Sequence, residues 1–265
     1  MIYTKETYNQ LIQLSYGYNL SVQNKSPEWK LMRDLYEKNY IQNTDTTERI
    51  PKIIHQIWLG EKPIPKAYLK YMASWKAFHP TWEYKLWTDK DVNDIEIVRR
   101  DIFDHANNAG MKSDILRYEI LRQIGGLYVD TDFECFKPFD DLLHLAFFTG
   151  IGYDVKLQLY IGLLGSVPQH CIMNKCSYTL DTLYDGHKAS TIMNVTGVSH
   201  FTKCFISGVS KGSEGVVAFP MAYFYPFPNN TKTTENHYRY RRNCSYAIHH
   251  WGISWIKSKV NNVGN

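Results

Sequence analysis

The stretch from Ser113 to Phe139, SDILRYEILRQIGGLYVDTDFECFKPF, constrains this chain more than any other. It reads as a helix, a glycine stop, a short apolar strand and two aspartates one residue apart. Ser113 is placed to cap the helix, and Asp114 complements its positive end. Ile115, Leu116, Tyr118, Ile120, Leu121 and Ile124 recur at helical spacing, and Gly125 can take the left-handed conformation that ends a helix. Leu127-Tyr128-Val129 is apolar and short, as a buried strand should be. If extension continues through Thr131, alternation puts Asp130 and Asp132 on one face. Two such carboxylates repel unless something positive lies between them, and a hard divalent cation is the usual answer. An isolated D-x-D is more often a solvated turn. Here the helix, glycine pair and strand precede it in the order that places ligands at the carboxyl end of a sheet strand.

The 265 residues, 44% hydrophobic and 21% charged, suffice for one substantial core with an appendage. The net charge of +4, from 30 basic and 26 acidic residues, suits local contact with phosphates and gives no ground for nucleic acid. The basic run Arg239-Tyr240-Arg241-Arg242 reads as a solvated loop, with acceptor or membrane-surface contact as its functional alternative. Cys135, Cys171, Cys176, Cys204 and Cys244 form no C-x-x-C pair, so reduced thiols are the expectation. No apolar run reaches the length of a membrane span, and MIYTKETYNQ lacks a signal-peptide core. A cytoplasmic protein, soluble or peripheral, is expected.

Residues 1–48 read as an N-terminal helical extension. Trp29, Met32, Leu35, Tyr36 and Tyr40 form a packing stripe behind Pro27, and the polar run from Asn43 to Thr47 serves as linker. Residues 49–265 form the main α/β domain. Its first strand lies in IPKIIHQIWLG at 50–60, with His55 in the core, and Trp82–Trp87 alternates as a half-buried strand. A helix is expected near Tyr68–Phe78 and another across Asp91–Ala109. Adjacent His249 and His250, followed by Ser254 and Trp255, form the last informative cluster.

SDILRYEILRQIGGLYVDTD resembles the signature of the DXD-containing glycosyltransferases. That group includes fungal Golgi mannosyltransferases, the lactosylceramide galactosyltransferase and bacterial capsular polysaccharide enzymes, with the large clostridial glucosylating toxins as distant versions. IIHQIWLG resembles the family's opening motif, WKAFHPTWEYKLWTD its second strand, and the AIHHWGISW run at 247–255 its C-terminal closure. The resemblance implies a GT-A fold, with a Rossmann-like mixed sheet flanked by helices, a UDP- or GDP-linked sugar donor, and Mn²⁺ or Mg²⁺. It implies Asp130, Asp132 and His249 as metal ligands, with His250 the alternative to His249 and Glu134 a reserve carboxylate. Donor contacts fall to Trp58 by base stacking, Asp114 and Arg117 by sugar and phosphate contacts, and Tyr128, Ser254 and Trp255. Asp114, Arg117, Asp130 and Asp132 form the catalytic set. Two departures stand out. Tyr160-Ile161 occupies the place where relatives often carry Asn before the equivalent of Gly162, and no apolar run here matches the membrane anchor of the Golgi relatives.

The implied function is metal-dependent hexosyl transfer with retention to a hydroxyl of a glycan, glycolipid or protein, as in polysaccharide biosynthesis. One alternative is a non-catalytic carbohydrate-binding relative. Another is an Asp-x-Asp phosphatase, but that motif belongs near an N-terminus and is usually followed by Thr or Val, whereas here Phe133 follows it at mid-chain.

Overall fold

The strand Ile53–Ile57 (β1) is buried along its whole length, as a central strand covered on both faces is, with its polar His55 and Gln56 hydrogen-bonded inside. The computed structural model describes residues 6–13, 26–106, 108–152, 157–180, 189–210, 212–227 and 237–252. Around β1, the strands Glu83–Trp87 (β2), Gly126–Val129 (β3), Phe147–Ile151 (β5), Leu159–Ser166 (β6) and Val216–Phe219 (β7) form a six-stranded sheet ordered β2-β1-β3-β6-β5-β7. β1 runs parallel to β2 and β3, β6 runs antiparallel to β3 and β5, and β7 is parallel to β5. Phe133–Cys135 (β4) and Ala247–His249 (β8) form a separate antiparallel ribbon. Helices cover the sheet, so the α/β expectation holds as a mixed-sheet fold.

The helix Ala109–Gln123 starts a turn earlier than expected. Asn108, not Ser113, caps it by accepting from the N–H groups of Gly110 and Met111. Gly125 and Gly126 follow with φ of 72° and 99°, conformations that cost a glycine little. A side chain on Gly125 would also meet Pro168 and the Ser166 carbonyl at under 3 Å. The expected helix over Asp91–Ala109 is not formed. A 3₁₀ turn at Val92–Asp94 and a short helix at Arg100–His105 stand there instead. The reason is competition for N–H groups: those of Glu96 and Val98 donate to the side chains of Gln123 and Glu119 on the neighbouring long helix.

The helix Pro27–Tyr36 is capped by Ser26 and continues into a π-helical turn at Glu37–Ile41. Its buried stripe meets the sheet's β7 edge, where the Tyr40 and Phe219 rings pack edge to face at 4.9 Å. Asn39 Nδ2 donates to the Val216 carbonyl, which occupies one polar group of an edge strand. Among the described residues no disulfide joins the cysteines, and no helix is long and apolar enough to cross a membrane.

His55 locks β1, β2 and the glycine stop together. Its Nε2 lies 2.9 Å from the Gly125 carbonyl, and Trp87 Nε1 donates to its Nδ1 at 3.1 Å. The ring is therefore neutral, and burial holds it down to about 4, partly offset by the Gly125 bond. An unfolded chain protonates this group near its ordinary value, so the contribution is present above pH 6.5 and is lost as pH falls through the folded value. Wild-type protein is expected to lose about 3 kcal/mol across that window. Denaturant midpoints at several pH values check this, and His55→Asn is expected to flatten the slope whatever its absolute stability.

Candidate active site

The parallel strands β1 and β3 end on the same side, and there Val129 gives way to Asp130. The Asp130 N–H donates to the Gly162 carbonyl, and its own carbonyl accepts from Gln56 Nε2. Extension does not continue through Thr131. Phe133 N–H donates back to the Asp130 carbonyl, making a turn. The turn, not strand alternation, brings Asp130 and Asp132 together.

One buried guanidinium ties the helix to this turn. Arg117 lies 3.0 Å from Asp114 Oδ1 and 3.2 Å from Asp130 Oδ1, and donates to the carbonyls of Ile161 and Ser113. Asp114 and Arg117 are three residues apart, so they share a helix face. The guanidinium also stands 4.5 Å above the Tyr128 ring, and the Tyr128 hydroxyl donates to Asp130 Oδ1 at 2.6 Å. Thr196 Oγ1 donates to the other oxygen of Asp114. Burial pushes the Asp114 carboxyl up to about 6, although Arg117 and Thr196 pull it down. Asp130 is also raised, because burial and the Asp132 charge outweigh Arg117.

The ribbon supplies the opposite wall. β8 pairs His249 with Phe133, the residue after Asp132. His249 Nε2 lies 3.0 Å from Asp132 Oδ1, and the Gly252 N–H donates to Asp132 Oδ2 at 2.6 Å. Burial would raise the Asp132 carboxyl, but His249 and the Gly252 N–H outweigh it and hold the group below its ordinary range. The imidazole is stacked on Phe133 at 4.4 Å and packed by Trp251 at 4.1 Å. His250 turns away, as the next residue along an extended segment must. Its Nε2 pairs with Glu134 at 3.0 Å and its ring stacks on Tyr71 at 4.0 Å.

The ligand atoms of Asp130, Asp132 and His249 all lie within 4.8 Å of one another. Two carboxylates and an imidazole suit a hard-to-borderline divalent cation such as Mn²⁺ or Mg²⁺. The donor set therefore fits the group that the resemblance implies. Residues 65–148 match the glycosyltransferase family described as a sugar-binding region containing a DXD motif. That stretch carries the family's DXD region. It is 31% identical over 162 residues to the uncharacterized glycosyltransferase L373 of Acanthamoeba polyphaga mimivirus, covering 57% of this chain and 63% of the relative. It is 34% identical over 117 residues to inositol phosphoceramide mannosyltransferase 3 of Schizosaccharomyces pombe, covering 42% of this chain and 32% of the relative. The matches thus span less than two thirds of these curated relatives. The solved PaToxG glycosyltransferase superposes with a TM-score of 0.50 at 17% identity, covering 72% of this chain and 77% of that one, which places the fold among the GT-A glycosyltransferases.

Of the other expected DXD-family site residues, Trp58 lies just beyond β1, half-buried, with its Nε1 donating to the Lys62 carbonyl. Ser254 and Trp255 lie outside the described residues. Tyr68 was not among the expected residues. Its ring packs edge to face with Trp58 at 6.1 Å, and a Cβ built on Gly252 would lie 1.6 Å from its hydroxyl. Burial, and next the Asp132 charge, push that phenol up to about 12. Tyr68 thus joins the Trp58 side to the Asp132 side. No charge or motif marks it in the sequence, where it reads as one aromatic at the start of a helix.

Proposed function

We propose that this chain moves a sugar from a nucleoside-diphosphate donor to a hydroxyl acceptor, with retention at the anomeric carbon and with a divalent cation at Asp130, Asp132 and His249. The reading rests chiefly on one observation: Arg117 joins a helix carboxylate, Asp114, to the first aspartate of a D-x-D turn at the carboxyl end of β3. Asp130, Asp132 and His249 would hold the cation, which would supply stabilisation of the charge on a departing diphosphate. Asp114 binds sugar hydroxyls, and its partners Arg117 and Thr196 hold it still while it does so. Four protein acceptors already share the five N–H donors of Arg117. Its main work is therefore positioning, with little donor capacity left for phosphate. Trp58 offers its indole face to the base, and Ser254 and Trp255, outside the described residues, keep the diphosphate contacts that the resemblance implies. The acceptor is a glycan, glycolipid or protein. The division of labour follows the chain, with residues 1–48 a helical brace and 49–265 the transferase domain.

Thermal-shift titration with UDP- and GDP-sugars, with and without Mn²⁺, tests the reading. One nucleotide class is expected to stabilise the protein in a metal-dependent manner, by roughly 3 kcal/mol at a hundredfold excess over its Kd. No shift with any donor would leave a non-catalytic relative as the better account.

Gly162 offers a sharper probe. A Cβ there would lie 2.8 Å from Asp130 Oδ2 and 3.0 Å from the Phe133 ring. Gly162→Ala is expected to displace the carboxylate, to cost the fold about 1–3 kcal/mol and to weaken metal-dependent donor binding. Calorimetry checks this, and unchanged affinity would show that Asp130 does not depend on the close approach.

A further inference from the structure

Behind the Asp114 wall, three metal-capable side chains meet between two helices. His200 and Cys204 stand four residues apart on the helix Val198–Gly208, and so share a face. Cys176 comes from the helix Cys171–Tyr178 packed against it. Their ligand atoms all lie within 4.8 Å of one another. His200 Nε2 is 3.6 Å from Cys204 Sγ and 3.0 Å from the Cys176 carbonyl. All three residues are buried, among Ile172, Met173, Phe201 and Phe205.

A single buried thiol is ordinary packing, since cysteine behaves as a small hydrophobe. Two thiols and an imidazole converging in one apolar pocket are different. Beyond the bond of His200 Nε2 to the Cys176 carbonyl, the contacts between these side chains are weak thiol hydrogen bonds. Sulfur and imidazole donors together suit a borderline-soft ion and are a poor set for Mg²⁺ or Mn²⁺.

We propose that Cys176, His200 and Cys204 form a zinc-binding site, separate from the Asp130, Asp132 and His249 cluster. Zinc at the two sulfurs and His200 Nε2 replaces the hydrogen bond from that ring to the Cys176 carbonyl. The two thiolates neutralise the ion, and their protons leave to solvent. Thr179, exposed and with its Oγ1 3.5 Å from Cys204 Sγ, marks the side where water completes the coordination. The site would brace the helix that follows Thr196, the residue whose hydroxyl holds Asp114.

Metal analysis of purified full-length protein after dialysis against a mild chelator tests this. About one zinc per chain is expected in the wild type and in Asp132→Asn, and its loss in Cys204→Ser. If Cys204→Ser does not fold, Co²⁺ added to metal-stripped wild type is expected to give a thiolate-to-cobalt charge-transfer band that Cys171→Ser preserves. Absence of both zinc and that band would overturn the proposal, as would zinc retained in Cys204→Ser or lost in Asp132→Asn. A Cys176–Cys204 disulfide in freshly isolated protein would overturn it too.

Discussion

Asp132→Asn is expected to lower sugar transfer by at least about a hundredfold and to abolish Mn²⁺-dependent stabilisation by the donor. The change leaves the volume of the side chain almost intact. Asn can still accept the Gly252 N–H through its oxygen and present its amide to His249 Nε2, so both wild-type contacts have a neutral substitute. What disappears is the charge. Asp132 is the carboxylate of the pair that the structure holds ionised, whereas burial and Asp132 itself raise Asp130. Removing it leaves a cation with one reluctant carboxylate and one imidazole. Folding should therefore be nearly unaffected, with the ligand-free Tm within a few degrees of wild type. Metal-independent donor affinity should persist through Trp58 and Asp114. Wild-type turnover in Asp132→Asn with added metal would sink the cation-dependent mechanism.

What the sequence disclosed follows the reach of local rules. The helix, the left-handed Gly125 and the β3 strand were legible because each is set by residues within a turn of itself. The same locality explains the failures. Asn108 displaced Ser113 as cap because Asn108 competes equally well and its own backbone is extended, as a cap residue's is. The missing helix over 91–109 lost its N–H groups to Glu119 and Gln123, side chains that only the folded chain brings near. At the site, the resemblance implied Asp114 as a donor contact. Nothing in the spacing joined Thr196 to a carboxylate 82 residues away. Which of two adjacent histidines faces Asp132 depends on the register of β8 against β4, a choice that one residue of slip would reverse. The nearness of Asp130 and Asp132 was expected, but through strand alternation, and the chain achieves it with a turn.

Arg117→Met is expected to destabilise the fold by about 3–5 kcal/mol, lowering Tm by roughly 10 °C or more. The guanidinium is buried, with a side chain 6% exposed, and it faces Asp114 and Asp130. Without it, Asp114 stays buried with only the Thr196 hydroxyl for company, and the carbonyl of Ile161 loses its donor. Burial already raises the Asp114 carboxyl despite Arg117, so the variant should fold with that group protonated at neutral pH. Adding Asp114→Asn to Arg117→Met is then expected to recover part of the stability, because it removes the uncompensated acid. A double-mutant cycle in denaturant reads this coupling directly. Arg117→Lys separates charge from shape. Lysine keeps one positive charge near the carboxylates but cannot bond Asp114, Asp130 and two backbone carbonyls from one plane. It should keep more stability than methionine while losing at least tenfold in kcat, since Asp114 and Asp130 are no longer held in register. Equal loss in both variants would mean that the positive charge alone contributes nothing, and full activity in Arg117→Lys would remove the positioning role assigned to the planar fork.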